Sequence, residues 1–87
     1  MTKIEDVTVK NSNFGSRAMA AYFRTGGTDQ PSGTVLEYTL PDGRSYHVLE
    51  NVRGILAVYR YRPDNDRLRS LKRWPAVLDQ IVTGEKV

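Results

Sequence analysis

The sequence predicts an α+β fold, in which a small antiparallel β-meander of three to four strands packs against one or two short helices. Two observations predict the meander: apolar and polar residues alternate between positions 34 and 62, and a turn signal at 41–43 divides this stretch. A third observation predicts the helices, because good helix formers lie before and after the meander. The 87 residues are enough for a single small globular domain that spans 1–87.

The N-terminal region is expected to contain a short strand, a helix and a loop. "DVTVK" at 6–10 alternates apolar and polar residues, which indicates a strand. Between 16 and 24 the chain is rich in alanine, and Ser16 suits the N-cap of a helix, although a strand is the alternative here. Gly, Pro, Ser and Thr then dominate, and we expect a mobile surface loop near 25–34.

A β-hairpin follows, with strands near 34–40 and 44–50. Pro41 fits the first central position of a type I turn, and Gly43 fits the left-handed bulge position after it. This loop fixes the residues that face each other: Leu40 and Arg44, Thr39 and Ser45, Tyr38 and Tyr46, Glu37 and His47, Leu36 and Val48, and Val35 and Leu49. One face of the hairpin is then apolar.

A third strand is expected near 54–62, after a turn at "NVRG". Helices near 16–24 and 75–83 are expected to cover the apolar face of the meander. That face is predicted to carry four tyrosines, namely Tyr38, Tyr46, Tyr59 and Tyr61. Trp74 is predicted to anchor the core.

Residues 66–74 are open to two interpretations. One is a helix that begins at an aspartate cap, and the other is a fourth strand near 67–73, entered through a tight turn centred on Asp64 and Asn65. Pro75 favours the strand, because proline would interrupt a long helix but suits the first position of a new one. The strand would pair Arg62 with Arg67, Tyr61 with Leu68, Arg60 with Arg69, and Ile55 with Trp74.

The positive charge of the chain is concentrated in one segment. Positions 60–73 hold six basic and two acidic residues, a local charge of +4, whereas the whole chain has +3. The predicted strand pairing sets arginine opposite arginine, which is destabilising unless an anion, an acidic partner or the chain's own carboxylates neutralise it. The candidate anion-binding residues are Arg60, Arg62, Arg67, Arg69, Lys72 and Arg73.

These observations favour a small non-enzymatic binding module whose basic face takes nucleic acid or another polyanion. Because no base-reading motif is present, binding is expected to be largely independent of sequence. An acidic protein surface is the other partner considered. A protein-interaction module or a small homodimer is the alternative, since Val35, Leu49 and Leu56 lie on outer faces of the predicted meander. In a third interpretation, the arginines only deter aggregation at a solvated edge.

No residue pattern in the chain indicates catalysis, a cofactor or a metal site. There is no cysteine, which excludes disulfides and thiolate zinc sites. The single histidine, His47, is predicted to form a cross-strand polar pair with Glu37. Asp42, Ser45 and His47 are the residue types of a catalytic triad, but Ser45 and His47 would point in parallel from one strand face.

The location of the protein in the cell is predicted from the lack of a signal peptide and of a membrane-spanning segment in the sequence. Charged residues interrupt the first ten positions, so a signal peptide is not expected. The longest apolar runs, 18–23 and 55–59, are far shorter than a membrane span. We therefore expect a cytoplasmic protein with no membrane partner.

Overall fold

A computed structural model describes residues 3–82, and its five strands form one antiparallel sheet in chain order. The elements are a 3₁₀ helix at Ile4–Asp6, β1 at Thr8–Asn11, α1 at Gly15–Arg24, β2 at Leu36–Thr39, β3 at Ser45–Asn51, β4 at Gly54–Arg62, β5 at Arg67–Ser70 and α2 at Ala76–Val82. The α+β fold with an antiparallel meander is confirmed. The expected strand near 6–10 becomes the first edge strand of the sheet, paired with β2.

The β2–β3 hairpin has the predicted register. Leu36 pairs with Val48, Tyr38 with Tyr46, and Glu37 with His47. Gly43 adopts φ 89°, and its N–H donates to the Leu40 carbonyl at 2.9 Å. Turn chemistry and apolar pattern therefore specify the same pairing.

The β4–β5 hairpin also has the predicted register, so residues 67–70 form a strand and not a helix. The turn differs from the predicted one. A primed hairpin turn centred on Asp64 and Asn65 would need a positive φ at both, but among the described non-glycine residues only Asp66 has a positive φ, at 53°. Its backbone carbonyl accepts a 2.7 Å hydrogen bond from Arg17, which helps to hold this left-handed conformation. β5 ends at Ser70, three residues earlier than predicted, so the expected pair of Ile55 and Trp74 does not form.

The two helices cover opposite faces of the sheet, and the prediction that both cover one face was wrong. The face that α1 covers, the α1 face, buries Ala18, Tyr22, Val35, Leu49 and Tyr59. The opposite face, the α2 face, buries Tyr38, Leu40, Tyr46, Val48, Val58, Val77 and Leu78. The reason lies in β3, where the consecutive residues Val48 and Leu49 point to opposite faces and neither is exposed to solvent. A strand that is apolar on both faces needs a covering layer on each side.

The pairing of β3 with β4 distributes the aromatic residues over both faces. Tyr59 lies opposite His47, so Tyr59 and Tyr61 belong to the α1 face, and the prediction of four tyrosines on one face was wrong. A β-bulge opposite Leu49 and Glu50 adds one residue to β4. As a result, the consecutive residues Leu56 and Ala57 both pack with the α1-face cluster, and Ile55 packs with the α2-face cluster.

The start of α1, the position of Trp74 and the extent of α2 can each be compared with the prediction. α1 begins at Gly15 and its N-cap is Phe14, so Ser16 is not the N-cap. Just before the helix, the Oγ of Ser12 accepts the Phe14 N–H at 2.9 Å. Trp74 is half-buried against the α2-face core, as expected. α2 follows Pro75, and residue 83 of the predicted helix lies outside the described residues.

The connection between α1 and β2 contains no helix or strand, in agreement with the predicted loop. The hydroxyl of Tyr22 donates to the Asp29 carbonyl at 3.0 Å, and the Ser32 N–H donates to the Glu50 carbonyl at 2.7 Å. These bonds attach the loop to α1 and β3, and its mobility stays a prediction. Within residues 3–82, neither helix is long and apolar enough to cross a membrane.

Candidate anion-binding surface

The two arginine pairs of the β4–β5 hairpin lie on the α2 side of the sheet. Arg60 pairs with Arg69 and Arg62 with Arg67, in the predicted register. Because Val58 points into the α2-face core, Arg60 and Arg62 at the next alternate positions point the same way. All six candidate residues reach solvent: Arg60 is half-exposed, and Arg62, Arg67, Arg69, Lys72 and Arg73 are exposed.

Three arginines from separate segments meet in one groove beside this hairpin. Arg44 comes from the β2–β3 turn, Arg60 from β4, and Arg73 from the segment after β5. The groove has a volume of about 320 Å³, and its remaining lining is Tyr46, Leu71, Trp74 and Pro75. We call it the α2-side groove.

Aromatic side chains shape this groove. The guanidinium carbon of Arg60 lies 5.6 Å from the centroid of the Tyr46 ring, a distance at which a cation and a ring attract each other. Trp74 is half-buried, and its indole N–H donates to the Asp79 carboxylate at 3.3 Å. The groove therefore combines guanidinium groups with an aromatic wall that is only partly covered by protein.

Arg44 was missed by the sequence analysis, although a signal for it was present. The predicted hairpin register already placed Arg44 two residues from Tyr46 and on the same face. Arg44 lies outside the segment 60–73, in which the positive charge is concentrated along the chain. The register of β3 with β4, which brings Tyr46 beside Arg60, adds Arg44 to the set.

The chain's own carboxylates neutralise few of these cations. Asp64 pairs with Arg62 at 3.7 Å, and Asp66 pairs with Arg17 of α1 at 3.3 Å. Asp42 lies 3.7 Å from Arg44 in the turn. Within residues 3–82, no ion pair is formed by Arg60, Arg67, Arg69, Lys72 or Arg73.

A second groove lies on the other side of β5, between that strand and α1. Arg17 and Arg24 are seven positions apart on α1, which places them on one side of the helix. They line the groove with Arg67 of β5, and its floor contains Ala20, Ala21 and Leu68. We call this space, of about 320 Å³, the α1-side groove. Arg17 and Arg24 were not among the candidate residues.

His47 is buried on the α1 face, with only 3% of its surface exposed. Its Nδ1 lies 2.8 Å from the Oγ of Ser12, and the Phe14 ring meets it edge-on at a centroid distance of 5.2 Å. Burial lowers the pKa of His47 below its ordinary value of 6.5, an effect that Glu37 partly opposes and Lys10 reinforces. Burial in this site therefore favours the neutral form of His47.

The predicted pairing of Glu37 with His47 is confirmed as a cross-strand position, but the hydrogen-bond partner is Ser12. Ser12 is 35 residues away in the chain, and no spacing rule connects the two. Ser45 bonds to Thr39, with 2.8 Å between the two hydroxyl oxygens, whereas the Nδ1 of His47 is bonded to Ser12. Among the described residues, no group of three or more His, Cys, Asp or Glu side chains could hold a metal ion.

The aliphatic residues that suggested a homodimer are covered in the monomer. Val35 is 5% exposed and Leu49 is fully buried, both beneath α1. Leu56 is half-buried against the same cluster. The argument from exposed aliphatic surface therefore no longer applies.

Comparisons with models of known protein families, with curated proteins and with solved structures find no match for this chain. Its function must therefore be argued from the placement of its side chains. Two features call for an explanation: the arginines near β5 that form no ion pair within residues 3–82, and the groove that contains Trp74.

Proposed function

We propose that the protein is a small non-enzymatic binding module that holds a polyanion on the α2 side of its sheet, with nucleic acid as the preferred ligand. The observation that carries the proposal is the meeting of Arg44, Arg60 and Arg73 in one groove. Three distant segments supply these cations, so their proximity is a product of the fold. The candidate residues of the hairpin, Arg62, Arg67, Arg69 and Lys72, extend the same basic surface.

The chemistry of the groove favours phosphate as the group bound. A guanidinium donates two parallel hydrogen bonds to a phosphate and is more weakly hydrated than an ammonium. The cation–ring contact with Tyr46 keeps Arg60 in place, which reduces the entropy that binding would cost. Trp74 offers a partly exposed ring on which a base can stack, and such stacking is tolerant of sequence.

A titration of a labelled oligonucleotide at two salt concentrations tests the proposal. Four to six phosphate contacts predict that log affinity falls with log salt at a slope of roughly −3.5 to −5.5 on duplex DNA. Trp74 is the only tryptophan, so a change in its fluorescence reports directly on the α2-side groove. We expect oligonucleotides of different sequence to bind with similar affinity.

Arg73→Ala and Arg53→Ala form a matched pair for this experiment. Both arginines are exposed, but Arg73 lines the groove, whereas Arg53 lies in the turn between β3 and β4. Loss of one phosphate contact should weaken binding and reduce the salt slope by about 1 in the Arg73 variant only. An absence of binding at low salt, or equal effects of the two substitutions, would refute the proposal.

A further inference from the structure

We infer that the free edge of β5 binds an acidic segment of another protein, which adds to the sheet as a sixth strand. The inference shares Arg67 and Arg69 with the proposed polyanion surface, but it rests on the backbone edge of the strand and on the α1-side groove, not on the groove of Arg44, Arg60 and Arg73. β5 is the last strand of the sheet, and within residues 3–82 no strand pairs with its outer side. Arg67, Arg69 and Ser70 of this strand are exposed.

The hydrogen-bonding groups that face outward can be identified from the register. The Leu71 N–H donates to the Val58 carbonyl at 2.9 Å. In an antiparallel pair, hydrogen-bonded and non-hydrogen-bonded positions alternate, so Arg69 and Arg67 also direct their backbone groups toward β4. Leu68 and Ser70 therefore direct their N–H and C=O groups away from β4, where an added strand would meet them.

The side chains around this edge select the chemistry of the added strand. Residues of that strand opposite Arg67 and Arg69 would lie beside two guanidinium groups without an ion pair among the described residues, which favours Asp or Glu. The residue opposite Leu68 would face the apolar floor of the α1-side groove, which favours Val or Ile. The recognised pattern is thus an alternation of acidic and β-branched residues.

The same charges argue against a second copy of this chain as the occupant. Antiparallel pairing of two β5 edges would bring arginines of one copy opposite arginines of the other. Arg24, at the rim of the α1-side groove, adds positive charge near the edge. An edge that repels its own copy attracts an acidic strand, and main-chain hydrogen bonds with alternate side-chain contacts are the usual basis of strand addition.

The test uses a synthetic peptide that repeats Glu-Val three times, and the amide hydrogen exchange of the full-length protein. The peptide should slow exchange at Leu68 and Ser70, whereas Arg67 and Arg69 are already bonded to β4. N-methylation of the valines removes the N–H groups that face β5 and should weaken binding by about tenfold or more. N-methylation of the glutamates, whose N–H groups face away, should change binding by less than about threefold.

Equal effects of the two methylation patterns, or no protection at Leu68 and Ser70, would overturn the inference. Arg69→Glu should weaken peptide binding, because it sets a carboxylate opposite the peptide's glutamate, while Arg53→Glu, at an exposed site in the β3–β4 turn, should not. The peptide experiment contains no oligonucleotide, so its outcome does not depend on whether the protein binds nucleic acid. Conversely, Arg73→Ala should weaken oligonucleotide binding and leave binding of the peptide unchanged.

Discussion

Two hairpins of the sheet, β2–β3 and β4–β5, differ in the kind of side chains that they pair across the strands. The β2–β3 hairpin pairs complementary side chains: the hydroxyls of Thr39 and Ser45 bond to each other, and Glu37 lies opposite His47. The β4–β5 hairpin pairs Arg60 with Arg69, and the pair nearest its turn is also two arginines. Cross-strand pairs of like charge oppose pairing, whereas complementary pairs support it.

The two hairpins also differ in how far the rest of the chain covers their strands. β3 is covered on both faces and buries Val48 and Leu49 fully. Among the described strands β5 has one neighbour, and none of its residues is fully buried. Its position depends on β4, on the packing of Leu68 against the α1-face core and on the contact of Arg17 with Asp66. A strand held in this way, with unneutralised charge, is suited to meeting a ligand from outside.

The largest change in the free energy of unfolding is expected when one leucine of each hairpin is replaced by alanine. Leu49→Ala should reduce the free energy of unfolding by about 2–5 kcal/mol, because it opens a cavity in a fully buried site. Leu68→Ala should cost less than about 2 kcal/mol, because the side chain is half-exposed and removes less apolar surface from water. Urea unfolding of both variants measures the difference; equal losses would mean that the second hairpin is as well packed as the first.

The next largest loss of stability is expected from removing the hydrogen bond between Ser12, in the β1–α1 connection, and His47 of β3. Ser12→Ala should cost about 1–3 kcal/mol, because it leaves Nδ1 of the buried His47 without its partner. Ser16→Ala is the control: Ser16 is exposed on α1, does not cap the helix, and should change stability by less than about 0.5 kcal/mol. A larger loss in the Ser16 variant would contradict the assigned helix start.

A smaller effect of opposite sign is expected in the second hairpin. Arg69→Glu converts a like-charge pair with Arg60 into an attractive one and should raise the free energy of unfolding by about 0.2–1 kcal/mol. The gain should shrink in high salt, because exposed charges are screened. Unfolding in low and high salt tests this, with Arg53→Glu as an exposed control. If Arg69→Glu lowers the free energy of unfolding, repulsion between Arg60 and Arg69 does not destabilise the folded protein.

We expect the smallest effect from pH, because His47 is the only buried residue of 3–82 whose side chain ordinarily titrates between pH 5 and 7. The pKa of His47 is lower in the folded protein than its ordinary 6.5, so the unfolded chain binds more protons as pH falls below 6.5. The free energy of unfolding should therefore decrease from pH 6.5 downward, until the folded protein is also protonated. His47→Gln should remove this slope, and unfolding curves between pH 5 and 7 measure it. A variant that keeps the full slope would show that another group titrates.

Much of the fold could be predicted because its strongest signals are local. The turn at Pro41 to Gly43 and the alternation around it fix the first hairpin without help from the rest of the chain. The same holds for the register that sets Arg60 opposite Arg69, even though the turn itself has a different geometry from the predicted one. Pro75 marks a boundary, because proline is compatible with a helix start and not with a helix interior.

The sequence by itself determined the register of the β2–β3 and β4–β5 hairpins, the α+β class and the concentration of charge in 60–73, since each depends on neighbours in the chain. Only the tertiary structure decided which face each helix covers, because both faces of β3 are apolar and alternation alone does not assign them. It also decided that His47 bonds to Ser12 and that Arg44 joins Arg60 and Arg73. These contacts join residues that are far apart in the chain, and they form only when the sheet and its two covering helices pack together.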